Sequence, residues 1–120
     1  MASPLKVSGI DHVVFHVKDL GRARKFYVDF LGMEVDHERS WQCFLKCGNQ
    51  GVALFEVNDD DVHGGSEVNH MALRLAAGDL ERTRKTLADA GIEVHGRQGD
   101  PTCIYFHDPD GHQLQLLMPE

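Results

Sequence analysis

The chain has 120 residues, 42% of them hydrophobic and 26% charged, with 19 acidic side chains against 12 basic ones. That length supports one domain, or two small half-domains sharing a core, and the formal charge of −7 leaves no basic excess to neutralise phosphates, which argues against nucleic acid or an anionic membrane as a partner. No stretch is apolar enough to span a bilayer, residues 1–9 lack a signal-peptide core, and three cysteines without a CxxC pair suggest neither a disulfide framework nor a zinc knuckle, so buried reduced thiols and a cytoplasmic location are expected.

Residues 10–17 place Val13, Phe15 and Val17 on one parity and predict a half-buried strand. From Leu20 to Leu31 the apolar residues Leu20, Ala23, Phe26, Tyr27, Phe30 and Leu31 recur at helical spacing. Asp19 stands where an N-cap belongs and Gly32 where the helix should stop. Three short strands near 33–38, 41–47 and 51–57 are expected next, divided by polar turns such as Gly48-Asn49-Gln50-Gly51. The polar segment 58–67 reads as a linker. The second half repeats the order with a strand at 68–75 and a helix at 79–90 that puts Leu80, Thr83, Leu87 and Ala90 on one face. Strands near 92–96, 103–107 and 112–118 complete it, the last two joined by the turn Asp108-Pro109-Asp110-Gly111.

The halves are copies of one another. His12 in Ile10-Asp-His-Val-Val14 and His70 in Val68-Asn-His-Met-Ala72 are 58 residues apart. Asp19-Leu20 matches Asp79-Leu80, Arg22-Ala-Arg-Lys25 matches Arg82-Thr-Arg-Lys85, and Gly32-Met-Glu-Val35 matches Gly91-Ile-Glu-Val94. At an offset of 59, Glu56 in the last strand of the first copy meets Gln115 in the last strand of the second. Two copies at so long a period are a duplication rather than a solenoid. The expected organisation is an α+β fold of two βαβββ modules, 1–57 and 68–120, paired into a curved mixed sheet with the helices on its outer face.

Side chains alternate across a sheet, so parity assigns faces. One parity carries Val13, Phe15, Val17, Phe44, Ala53, Phe55, Val57, Met71, Leu73, Leu75, Ile104, Phe106, Leu114 and Leu116, the expected core. The other carries His12, Val14, His16, Leu54, Glu56, His70, Ala72, Arg74, Cys103, Tyr105, His107, Gln113 and Gln115, a mixed surface suited to binding a ligand. Two imidazoles with carboxylate or amide oxygens, His12, His70, Glu56 and Gln115, suit Zn, Ni, Fe, Mn or Co and leave positions open for water or substrate. Glu56, the one carboxylate of the four, is the natural general base. His37, His63 and His95 fall at turns or strand ends, where solvation is expected, and His16, His107 and His112 are expected to be structural.

These residues resemble a known family. Ile10-Asp-His-Val-Val14, Asp19-Leu20, Phe26-Tyr-Val-Asp-Phe-Leu-Gly-Met33, Asn69-His-Met-Ala-Leu73 and Ile104-Tyr-Phe-His-Asp-Pro-Asp-Gly-His-Gln-Leu-Gln-Leu116 look like the vicinal oxygen chelate superfamily, over nearly the whole chain. That superfamily includes glyoxalase I, fosfomycin-resistance thiol transferases, extradiol dioxygenases and bleomycin-resistance proteins. The resemblance implies paired βαβββ modules and a homodimer, with His12 and Glu56 from one chain facing His70 and Gln115 from its partner. It makes His12 and His70 the metal-ligand histidines and matches Glu56 to the extra carboxylate of glyoxalase-like members. Gln115 stands where most metal-dependent members have glutamate, and an amide oxygen is neutral and takes no proton.

Three functions compete. The first is a divalent-metal-dependent enzyme of the glyoxalase or thiol-transferase kind, acting on a small electrophile with vicinal oxygens, with a thiol such as glutathione as cosubstrate. Here Glu56 moves protons, and Arg74 or Tyr105 orients an anionic substrate. The second is an extradiol dioxygenase, against which Gln115 counts because its iron site needs a carboxylate. The third is a metal-free drug- or metabolite-binding protein of the bleomycin-resistance type.

Overall fold

The computed structural model describes residues 4–5, 8–58, 62 and 68–120. Two compact units divide the chain, Met1–Val62 and His63–Glu120. Of the expected linker 58–67, all but Asn58 and Val62 lies outside the described residues, as does His63.

In the first unit, strand β1 (His12–Val17) leads through Asp19 into helix α1 (Leu20–Arg24), which continues as a π-helical stretch over Lys25–Phe30. Strands β2 (Glu34–Arg39), β3 (Gln42–Cys47) and β4 (Gln50–Glu56) follow. They form a four-stranded sheet in the order β1-β4-β3-β2, with β1 parallel to β4 and the other pairs antiparallel. Asp19 is extended and its Oδ1 accepts from Arg22 N at 3.0 Å, satisfying one of the amides a helix start leaves without an internal partner. Gly32, at φ 83°, takes the left-handed conformation that ends the helix. The spacing of apolar residues gives the helix but not its change of pitch at Lys25. Ala23 and Tyr27 are wholly buried, and the Tyr27 ring lies 6.3 Å from that of Phe15.

The second unit repeats the order: β5 (Met71–Arg74), α2 (Leu80–Asp89), β6 (His95–Arg97), β7 (Asp100–His107) and β8 (Gln113–Leu117). Its sheet runs β5-β8-β7-β6, with β5 parallel to β8. Asp79 caps α2 through Arg82 N at 2.9 Å. In the turn before β8, Asp108 Oδ1 accepts from Asp110 N at 2.9 Å and His112 N at 2.8 Å, and Gly111 has φ 91°. Among the described residues no helix is long and apolar enough to cross a membrane.

Parity fits the second unit in part, since Cys103 and Tyr105 are buried along with Ile104 and Phe106, and it inverts in part of the first. Ile104, Phe106, Leu114 and Leu116 are buried as expected, and Met71 pairs with Leu114 and Leu73 with Leu116 on that face. In β3 and β4, however, the buried row is Cys43, Leu45, Val52 and Leu54. Phe15 pairs with Leu54 and Val17 with Glu56, so even-numbered β4 residues share the face of the core and Phe44, Ala53 and Phe55 share the face of His12. Val52-Ala-Leu-Phe55 is apolar at every position, and an unbroken apolar run contains no parity signal.

Candidate metal centre

Each unit presents one of the two histidines on the sheet face opposite its apolar core. In the first, Nδ1 of His12 lies 2.7 Å from the Asp11 carboxylate. In the second, Nδ1 of His70 lies 2.8 Å from Asn69 Oδ1. Both partners offer acceptor oxygens, so Nδ1 donates in each case, the contact by which metal-ligating histidines are oriented. The motif recurs at the same place in both copies, as Asp11-His12 and Asn69-His70. It was legible in the repeat as an acceptor side chain directly before each histidine.

Gln115 lies on the His70 face. It pairs with Ala72 in β5 and Tyr105 in β7, and its Nε2 points at Cys103 Sγ, 3.7 Å away. That orientation leaves Oε1 as the atom a cation could use. The Tyr105 ring stands edge-on to His70 at 5.2 Å and stacks on His95 at 5.6 Å. His95 Nε2 lies 3.0 Å from Gln113 Oε1, and Gln113 Nε2 donates to Asn69 O at 3.2 Å, so His95, exposed as expected, also touches the network beside His70. His37, also expected to be solvated, stacks on Phe44 at 4.4 Å.

Glu56 does not join this set. Its strand partner is Val17, while His12 pairs with Gly51. Five residues of strand separate the two positions, about 16 Å along β1 at the usual rise. Glu56 also lies on the core side, where its Oε2 accepts from Leu20 N at 2.8 Å at the start of α1. The offset of 59 that matched Glu56 to Gln115 is not the structural offset. Two residues beyond each histidine, Val14 pairs with Ala53 and Ala72 with Gln115, so the counterpart of Gln115 is Ala53.

Arg74 is committed to the chain end: its Nη1 donates to Met118 O at 2.9 Å and its Nε lies 3.6 Å from a Glu120 carboxylate oxygen. The cation beside Tyr105 is Arg97, which sequence reasoning passed over. Its Nη2 donates to the phenol oxygen at 2.5 Å and its guanidinium carbon lies 5.8 Å from the ring centroid. Arg97 sits in β6, three residues long and bulged, too short for alternation to reveal. Among the described residues no three His, Cys, Asp or Glu side chains gather into a metal-holding group.

The model of the Glyoxalase/Bleomycin resistance protein/Dioxygenase superfamily matches residues 9–116. The chain belongs to that superfamily. It is 27% identical to the glutathione transferase FosA of Serratia marcescens over 92% of this chain and 80% of that one. With the metallothiol transferase FosB of Bacillus licheniformis it shares 30% over 92% of this chain and 75% of the relative. The biphenyl-2,3-diol 1,2-dioxygenase 3 of Rhodococcus globerulus is 31% identical over 88% of this chain and 60% of its own. The solved structure of the fosfomycin resistance protein FosX from Listeria monocytogenes superposes with a TM-score of 0.78, covering 96% of each chain at 21% identity. That superposition establishes the fold.

The donors available to a metal are the imidazole of His12 in the first unit and, in the second, the imidazole of His70 and the amide oxygen of Gln115. Their chemistry fits a borderline divalent cation with coordination positions to spare. None of the three brings negative charge, so the set is a weaker trap than one completed by a carboxylate.

Proposed function

We propose that this chain is a divalent-metal-dependent enzyme of the thiol-transferase kind that joins a thiol, such as glutathione, to a small electrophile with vicinal oxygens. His12, His70 and Gln115 would hold the metal, and the active form would be a homodimer whose copies share each site. The observation that carries this is the matched anchoring of the two histidines, each with Nδ1 held by the side chain of the residue before it. Similarity to a glutathione transferase and a metallothiol transferase across 92% of the chain supports the reaction class. The metal's contribution, when bound, is to polarise an oxygen of the electrophile.

The other groups take supporting roles. Tyr105, held by Arg97, offers a phenol and a nearby guanidinium that can orient an anionic substrate beside His70. Glu56 takes no part, because its carboxylate serves the start of α1. That weakens the glyoxalase-like branch, which needs a base on this face. Gln115 weakens the dioxygenase branch, which needs a carboxylate in the iron site. A second reading, a binding protein without metal, is favoured by the neutrality of all three donors.

Metal analysis of protein purified without an affinity tag separates the two. The enzyme reading expects a transition metal in wild type, tighter retention in Gln115→Glu, and no uptake in a folded His70→Ala variant. Less than about 0.2 equivalents of any transition metal in wild type, with no gain in Gln115→Glu, would leave the binding-protein reading standing.

A further inference from the structure

Gly51 lies inside β4, directly paired with His12. Its backbone is not in the left-handed region, where the glycines among the described residues are Gly32, Gly48, Gly78, Gly91, Gly99 and Gly111. Conformation therefore does not call for glycine here, and glycine in a strand interior weakens the sheet. Space does call for it. A Cβ at position 51 would lie 2.9 Å from the Cβ of His12 and 3.1 Å from the carbonyl oxygen of Asp11. Neither atom is the end of a flexible side chain, so neither can swing aside. Gly51 N also donates to that same Asp11 carbonyl at 2.8 Å, while the Asp11 carboxylate holds His12 Nδ1 at 2.7 Å.

We propose that Gly51 is a positioning residue for His12: by carrying no side chain it lets β4 approach closely enough to fix Asp11 by its backbone and seat the imidazole on the open face. The two histidines are thereby held by different means. In the second unit the ladder begins one residue later, at Met71 and Leu114, and Gln113 reaches back to Asn69 with its side chain. In the first, the same support comes from the main chain and from an absent side chain. The inference rests on the metal reading for its functional consequence, while the contact itself can be tested without metal.

The test is Gly51→Ala, alone and combined with His12→Gly, which removes the nearer of the two atoms the new methyl would meet and leaves the Asp11 carbonyl oxygen in place. In metal-free protein, imidazole nitrogen NMR should show the His12 ring signals shifting in Gly51→Ala while those of His70 stay in place. In urea unfolding, Gly51→Ala should destabilise the wild-type background and cost markedly less in the His12→Gly background, which also keeps the experiment readable if the single variant fails to fold. Cobalt titration should show affinity at least tenfold weaker in Gly51→Ala. Equal destabilisation in both backgrounds, or an unmoved His12 signal in a folded Gly51→Ala protein, overturns the proposal. If wild type takes up no cobalt, the metal reading fails, and the NMR and unfolding results still decide the role of Gly51.

Discussion

A helix start leaves backbone N–H groups without internal partners, and an acceptor that reaches one is stabilising, more so when it is negative and faces the positive end of the helix dipole. Glu56 does this from a distance of 36 residues, accepting from Leu20 N while Asp19 serves Arg22 N. Glu56→Ala should lower stability by about 1 kcal/mol, as loss of a helix cap does, and should leave metal stoichiometry at the wild-type level. Urea unfolding and metal analysis of the one variant check both halves of the statement, and loss of metal with stability intact would return Glu56 to the site. At this scale the sequence made the histidines legible because their neighbourhoods repeat. It misplaced Glu56 because similarity of composition between two apolar strand ends was taken as identity of position. Only the pairing of Val14 with Ala53 and Ala72 with Gln115 fixes the correspondence.

Among the elements, those with chemical punctuation were fully legible, whereas β3 and β4 form where expected but with their faces reversed. Asp19 and Gly32 bracket the first helix as expected, and the Asp108-Pro109-Asp110-Gly111 turn forms where its residues demand it. In β4 the apolar residues fill both parities, so which row faces α1 is decided by contact with the helix, and β3 follows its partner. Cys43 and Leu54, paired across the strands, are both wholly buried there. The burial pushes the Cys43 thiol above its ordinary range, with the nearby Glu38 carboxylate adding to the shift. Gly32 gives the element-scale prediction. At φ 83° with nothing within 4 Å of a built Cβ, it is constrained by backbone conformation and not by space. Gly32→Ala should therefore cost about 1 kcal/mol in urea unfolding, and the cost should be the same whether His12 or glycine occupies position 12. Gly51→Ala has the opposite signature, with space as the constraint and a cost that depends on His12.

For the whole molecule, each unit carries one anchored histidine, and no described trio of His, Cys, Asp or Glu side chains gathers in one place. A centre that uses both histidines needs two open faces brought together, whether from one chain or from two copies. The proposed homodimer chooses two copies, and subunit mixing tests the choice. His12→Ala spoils the first unit of its own chain and His70→Ala the second, so neither variant alone forms a complete site. In a mixed dimer with shared sites, one site collects both defects and the other collects none. Equal amounts of the two variants, unfolded together and refolded, pair at random. Half of the dimers are then mixed, each with one intact site of two, and metal binding should return to roughly a quarter of wild type in a closed two-fold assembly. Sites built within a single chain would give no recovery at any ratio, since every chain then carries its own defect. Sedimentation of wild type at twice the chain mass is required as well, because a monomer has no second copy to lend the missing face.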